Sequence, residues 1–389
     1  MKEAILALVP DYYPSFVCKA GACRMPCCEG WPVTMSMGDY FRLLGVECSP
    51  ALRRKLDVAL RMADRPCPEE YACISPRFDG RCPMHMDDGR CAVHAELGGG
   101  ALPAVCRLYP RGVRMDDMPE ASCANSCEAV VERLFAHEAP MTFVRVPMAP
   151  DLPRAAAREV FFETLGREQE IRLWLIRLLQ NRGLSMPRRL MALGMRLREM
   201  EDALNRRDEA AVARLLEEGG ATALPPEEPL CEAHLRFGLK AAEAMLRQMD
   251  ERSDSLRDYG ETALACFGDG DDAFERYQRA RAHLETTFPH CERWLEQLLV
   301  NHMFFERFPF QDRPVSLSDE FVALCAVYTL MRLLAVGWMA DKSSEAQFVD
   351  AAAAAFRFID HTSFDRYAAG VLHALDCASP GRLFDLIRL

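Results

Sequence analysis

Cysteines are the residues with the clearest chemical meaning in this sequence. There are 17 in 389 residues, and 12 of them fall between Cys18 and Cys127. Eight stand where they could ligate a metal: Cys18, Cys23, Cys27 and Cys28, then Cys82 and Cys91, then Cys106 and Cys127. Thiolates a few residues apart on a loop can turn inward to one soft centre. More distant cysteines then complete four ligands. Two centres suit the set. Zinc takes four thiolates or a cysteine–histidine mix and is held structurally. An iron–sulfur cluster takes four cysteines and brings redox or Lewis-acid chemistry. The zinc-finger Cys-x2-Cys and the ferredoxin Cys-x2-Cys-x2-Cys run are both missing. The histidines nearby are His85 and His94, which leans toward iron–sulfur. Cys48, Cys67, Cys73 and Cys123 read equally well as small buried hydrophobes. Cys231, Cys266, Cys291, Cys325 and Cys377 read as core residues of helices.

Clustered cysteines favour metal binding over disulfides when thiols stay reduced. The first ten residues carry an apolar run of six, too short for a signal-peptide core. A cytoplasmic protein is therefore expected. Half of the chain is apolar and the net charge is −11. That composition excludes bulk disorder and argues against a nucleic-acid partner. Phe321 to Ala340 is apolar except for Arg332. A central Arg costs about 2.5–3.5 kcal/mol in a membrane, so a buried core helix is expected there and no membrane span.

The elements that must position the cysteines fall into two parts. Residues 1–138 read as a loop-rich, cysteine-rich module that binds a metal or an iron–sulfur cluster. Asp39–Leu44 and Pro50–Ala63 are its expected helices, and Gly80, Gly89 and Gly98-Gly99-Gly100 mark its turns. Residues 154–389 read as a larger all-helical domain. Ile171, Trp174, Leu175, Leu178 and Leu179 share one helical face, as do Leu190, Leu193, Leu197, Met200 and Leu204. Further helices are expected near 230–250, 272–286, 290–305, 317–340, 345–360 and 364–376. Pro140 to Pro153 forms the boundary, with a possible short strand over Thr142–Val146. The Gly219-Gly220 to Pro229 stretch is a second break. Strand-like alternation is otherwise nearly absent. The expected fold is mostly α, with the cysteine module packed on the helical domain.

Particular residues carry a resemblance. Phe16-x-Cys18-x4-Cys23-x3-Cys27-Cys28-x2-Trp31 is followed by Cys82-Pro83 and Gly89-x-Cys91. Cys106-Arg-x-Tyr109-Pro110-Arg111 and Ser126-Cys127-Glu128 come next. Together they resemble the flagellin lysine-N-methylase family, and the front half also resembles a wider group of zinc- or iron-chelating cysteine modules. Glu296-x4-Asn301-His302-x-Phe304-Phe305, Phe308-Pro309-Phe310 and Phe356-x4-His361 extend the similarity downstream. The resemblance implies methylation of flagellin lysines with S-adenosylmethionine as donor. It also implies a [4Fe–4S] cluster on the shared cysteines. The family's acidic residue after the Trp has no counterpart in Val33-Thr34-Met35-Ser36.

Lysine methylation displaces a sulfonium at carbon and needs a neutral amine, although free lysine has a pKa of about 10.4. The site must desolvate the amine or supply a base, and hold nitrogen, methyl and sulfur in line. No strand leads into a Gly-x-Gly-x-x-Gly loop, so a Rossmann-type donor site is not expected. A cluster iron with an open position could hold the donor's amino and carboxylate groups. Arg111 could pair with a donor carboxylate, or end a turn and cap a helix. Tyr109 could orient the amine, or pack in a turn. Trp31 could cover the metal site, or serve as a core aromatic. Asn301 and His361 could line a cleft, or bond within the bundle. No catalytic base is assigned. Two other readings are a non-catalytic protein with structural zinc or iron–sulfur, and an electron-transfer protein.

Overall fold

In this computed structural model the described residues are 5–29, 33–148, 161–218, 224–226, 229–247, 254–311 and 315–389. Trp31, Gly219-Gly220 and the boundary stretch 149–153 lie outside them. The first part of the chain runs β1 (Ile5–Pro10), β2 (Val33–Met35), α1 (Met37–Gly45), α2 (Pro50–Ala59), β3 (Leu60–Met62) and β4 (Ala72–Ile74). It continues through α3 (Ala92–Leu97), α4 (Ala104–Leu108), β5 (Arg111–Arg114), β6 (Glu120–Cys123), α5 (Glu128–Phe135) and β7 (Phe143–Met148). Helices follow: α6 (Glu168–Leu179), α7 (Met186–Asn205), α8 (Glu209–Glu217), α9 (Glu232–Arg247), α10 (Asp254–Phe267) and α11 (Ala273–Thr287). The chain ends with α12 (Cys291–Phe305), α13 (Leu317–Leu333), α14 (Glu345–Ile359), α15 (Phe364–Ala374) and α16 (Pro380–Leu386).

The protein is mostly helical, as expected, but strands are not nearly absent. Seven occur among the described residues, in two small sheets. One sheet has the order β5-β6-β1-β7. In it β1 is parallel to β6 and antiparallel to β7, from Ile5 opposite Met148 to Pro10 opposite Phe143. The other is β2-β4-β3, all antiparallel. The strands escape sequence reading because they are three to six residues long. In addition, β6 and the second half of β1 are continuously buried, so no alternation marks them. The strand suggested at Thr142–Val146 is β7.

Local chemistry sets the helix starts. Ser36, Ser49, Asp208 and Ser316 each accept the N–H three residues on, at α1, α2, α8 and α13. Gly98, in the left-handed region, ends α3 and donates its N–H to the His94 carbonyl, the cap that the glycine triplet suggests.

Two apolar cores result. The smaller gathers Val33, Met35, Leu43, Leu52, Leu56, Ile74 and Met84, with Cys28, Cys48, Cys91 and Cys106 packed on its edge. The larger holds the helical bundle together with Leu8, Tyr12, Phe16, Val130 and Phe135 from the first part of the chain. The helix Leu317–Trp338 is long and apolar enough to cross a membrane, but 89% of its apolar window is buried inside the protein. That is the burial of a core helix. Arg332 within it donates to the Leu389 carbonyl at 2.8 Å.

At the centre lies α12, buried from Trp294 to Phe304. Glu296 on it has no exposed side-chain surface and pairs with Arg182 at 2.8 Å and Arg189 at 2.6 Å. Removing one partner of a buried ion pair costs more than the pair contributes, because the other charge stays buried. Glu296→Gln is therefore expected to lose roughly 3–5 kcal/mol, read from urea unfolding followed by circular dichroism.

Candidate functional site

The segment Cys18–Glu29 contains no α-helix or strand beyond one turn at Ala20–Ala22 and an isolated bridge at Glu29. Other elements hold it. Lys19 Nζ reaches Glu128 Oε1 at 2.6 Å and Glu132 Oε1 at 2.8 Å on α5. The Met25 N–H donates to Glu128 Oε2 at 2.9 Å. Arg24 pairs with Asp350 on α14 at 2.9 Å. Arg357, also on α14, donates to the carbonyls of Met25, Pro26 and Glu29 at 2.8, 3.1 and 3.1 Å. A buried guanidinium can satisfy several carbonyls at once because its donors form a planar fork.

A second seat is made by backbone contact. Gly21 crosses the Asp88–Arg90 turn so closely that a Cβ on Gly89 would overlap the Gly21 carbonyl oxygen. Gly89 also has φ +79°, where a side chain is strained. The Cys82 N–H then donates to the Cys28 carbonyl at 2.7 Å. Asp39 on α1 accepts the Ala104 N–H at 2.8 Å and so fixes the start of α4, which carries Cys106.

By the thiols that act on one another, the eight expected cysteines divide into two sets. Burial pushes the Cys106 thiol up to about 12, and the charges of Cys27, Cys82, Cys91 and Asp39 add to it. The Cys28 thiol is raised by its hydrogen bond to Cys27, by burial and by Cys82 and Cys91. Cys27, Cys28, Cys82, Cys91 and Cys106 therefore act on one another. The second group is Cys18, Cys23 and Cys127. Cys127 stands before the first turn of α5, where burial raises its thiol to about 12 against the Val130 and Ala129 N–H groups. Cys23 and Cys18 raise it further. Burial lifts Cys23 to about 11, with Glu128 and Cys18 adding to the shift. Cys27 belongs to both groups, since it also acts on Cys23. Its own thiol is lowered to about 7, by the Cys28 hydrogen bond and by Arg357 against burial.

The donor chemistry fits a thiolate-bound cation. Neighbouring thiols that raise one another's pKa are the groups a positive centre would ionise. Among the described residues, however, no three His, Cys, Asp or Glu side chains stand in metal-ligating geometry. Cys48 packs on the small core, Cys67 is exposed, Cys73 lies on β4, and Cys123 is fully buried. Of the later cysteines, Cys291, Cys325 and Cys377 are buried and Cys231 is exposed.

Arg111 sits opposite Cys123 on the paired strand and is engaged by Phe16. It donates to the Phe16 carbonyl at 3.1 Å, and its guanidinium lies 5.1 Å over the Phe16 ring. Tyr109 points to the junction between the cysteines and the helices. Its hydroxyl lies 3.0 Å from Ser126 Oγ, which lies 2.8 Å from His361 Nε2. Burial and Cys127 raise the Tyr109 phenol well above the ordinary value, while Ser126 opposes them. Asn301 joins the two parts beneath this site. It donates to the Cys123 carbonyl at 2.8 Å and to Asn125 Oδ1 at 2.7 Å, and accepts the Tyr12 hydroxyl at 2.7 Å. Asp360 accepts the Asn125 N–H at 3.0 Å and faces His302 Nδ1 at 3.0 Å.

The model of the FliB lysine N-methylase C-terminal domain matches residues 172–373, just over half of the chain. The chain belongs to the FliB lysine N-methylase family. It is a protein-lysine N-methyltransferase. No curated protein and no solved structure matches. The matched methylase segment contains Asn301, Asp350, Arg357, Asp360 and His361. Of these, Asp350 and Arg357 grip the cysteine loop, Asn301 and Asp360 bond Asn125, and His361 meets Ser126. Sequence reading missed Arg357, Asp350 and Asp360. Their one signal was position, close to the Phe356-x4-His361 stretch.

Two outcomes follow from this geometry. Gly89→Ala is expected to unseat the Cys18–Cys28 loop and lose roughly 1–3 kcal/mol, visible as a lower melting temperature and poorer metal uptake on reconstitution. In the metal-free protein, Cys27 should alkylate with iodoacetamide ahead of Cys23, Cys106 and Cys127. Its rate should rise as pH climbs through about 7, because the thiolate is the nucleophile. Peptide mass spectrometry gives the order.

Proposed function

We propose that this methylase transfers methyl groups from S-adenosylmethionine to lysine side chains of flagellin in the cytoplasm. A [4Fe–4S] cluster is held by four of Cys18, Cys23, Cys27, Cys28, Cys82, Cys91, Cys106 and Cys127. The observation that carries the reading is the match to the lysine N-methylase domain over residues 172–373. The mutual electrostatic effects of these thiols, and the grip of that segment on the loop bearing Cys23, Cys27 and Cys28, support the cluster. Zinc on the same thiols is the alternative centre.

When bound, the cluster would supply a positive, Lewis-acidic surface for the donor's polar end. The rest falls to the chain's own residues. Arg357 and Glu128 keep the loop bearing Cys23, Cys27 and Cys28 in place. Tyr109 presents a phenol oxygen beside the cysteines, within electrostatic reach of Cys127 and Cys27. Its hydroxyl can accept from a lysine ε-ammonium and orient the nitrogen. Excluding water from the junction favours the neutral amine, since desolvation lowers an ammonium pKa. Trp31 and Arg111 remain part of the proposal as donor-binding residues. Arg111 would have to leave the Phe16 carbonyl to serve.

The test is transfer of labelled methyl from S-adenosylmethionine to purified flagellin by protein isolated without oxygen. Label on flagellin lysines, together with near-equal iron and sulfide, is the expected result. Stoichiometric zinc in a colourless, active enzyme would overturn the cluster and leave the methyl transfer. No label on flagellin, with label on another lysine-bearing protein, would overturn the substrate.

A further inference from the structure

We propose that Tyr109, Ser126 and His361 form a proton relay that carries the substrate lysine's proton from the cysteine site to the protein surface. The inference rests on the lysine methyl-transfer reading of the same site.

The geometry is continuous. Tyr109 Oη to Ser126 Oγ spans 3.0 Å, and Ser126 Oγ to His361 Nε2 spans 2.8 Å. Both are hydrogen-bond distances between groups that can donate and accept. The inner end is at the cysteines, because Tyr109 caps the end of α4, which carries Cys106, and Ser126 stands directly before Cys127. The middle is sealed: Ser126 is 0% exposed. The outer end is open, because His361 keeps access to solvent. The Tyr109 and His361 rings lie side by side, their centroids 6.3 Å apart.

Crowding of the His361 ring by protein lowers its pKa below the usual histidine range, with Asp360 opposing and Arg357 adding to the effect. Asp360 is itself fixed by the Asn125 N–H and by His302. A charge formed on His361 would therefore meet an anion already in place, which needs no reorganisation.

The step balances. The ε-ammonium N–H bond breaks and its proton goes to Tyr109 Oη. The Tyr109 hydroxyl proton passes to Ser126 Oγ, and the Ser126 proton passes to His361 Nε2. The lysine becomes a neutral amine and His361 an imidazolium, so the total charge is unchanged. The amine lone pair then forms the new N–C bond as the C–S bond of a sulfonium donor breaks. His361 returns its proton to water. Water exclusion around the ammonium narrows the pKa gap, by up to about 3–5 units for a fully buried group. His302 is a poorer terminus, since its Nδ1 is already paired with Asp360 and the residue is buried.

The test uses full-length protein with its metal centre reconstituted, in single-turnover methyl transfer. In His361→Gln, kcat is expected to fall about a hundredfold, the low end for removing a general base. KM for the lysine substrate and donor binding should hold. Added imidazole, or alkaline pH, should restore much of the rate. Tyr109→Phe should fall similarly without imidazole rescue. A separate readout is nitrogen-15 NMR of histidine-labelled wild type, expected to show His361 neutral with the proton on Nδ1. A His361→Gln rate within threefold of wild type would overturn the relay, as would a folded, metal-loaded variant that neither imidazole nor pH rescues. NMR showing the proton on Nε2 of neutral His361 would do the same. A wild-type protein that transfers no methyl to lysine would instead overturn the underlying reading.

Discussion

The fork of Arg357 on the carbonyls of Met25, Pro26 and Glu29 is the contact on which the shape of the cysteine loop depends. The Cys18–Glu29 segment contains neither an α-helix nor a paired strand to fix its shape. Its carbonyls would otherwise face water, and its sulfurs would sample many positions. Ordering a residue costs about 1–2 kcal/mol of backbone entropy. That cost is offset here by a cation on α14, by Glu128 on α5, and by the glycine contact at Gly21 and Gly89. The loop is thus shaped from outside, largely by the methylase segment.

This arrangement links the two halves of the chemistry. Helix α14 holds the cysteine loop through Asp350 and Arg357, and just after it Asp360 accepts the Asn125 N–H while His361 meets Ser126. A shift of α14 would move the thiols and the Ser126 contact together. Helix α12 fixes the other side through Asn301, which bonds the Cys123 carbonyl and Asn125. Such buried polar bonds lock a unique arrangement because each unmade partner is costly. The junction is therefore held rigidly from both sides, and it is where the proposed function places donor, lysine and thiols.

The spacing of Cys18, Cys23, Cys27 and Cys28, and the compositional split after Cys127, were legible without a structure. So were α6, α7, α12 and α14, because apolar residues at 3.6-residue spacing can bury only as helices. Gly89 announced a turn. Of the sheet β5-β6-β1-β7 only β7 was legible: the other strands are short, and β6 and the second half of β1 are too buried to alternate. Arg357 looked like any other arginine among 42, and Asp360 like any helix-end carboxylate.

The sequence alone determined the chemistry available and the class of fold, because residue type fixes what a side chain can bind and periodicity fixes how it must bury. The tertiary structure decided the partners. It gave Arg111 to the Phe16 carbonyl and Arg357 to the cysteine loop, and it set Tyr109, Ser126 and His361 in line across 252 residues of chain. Contacts that distant depend on how helices and strands pack, and no local spacing encodes them.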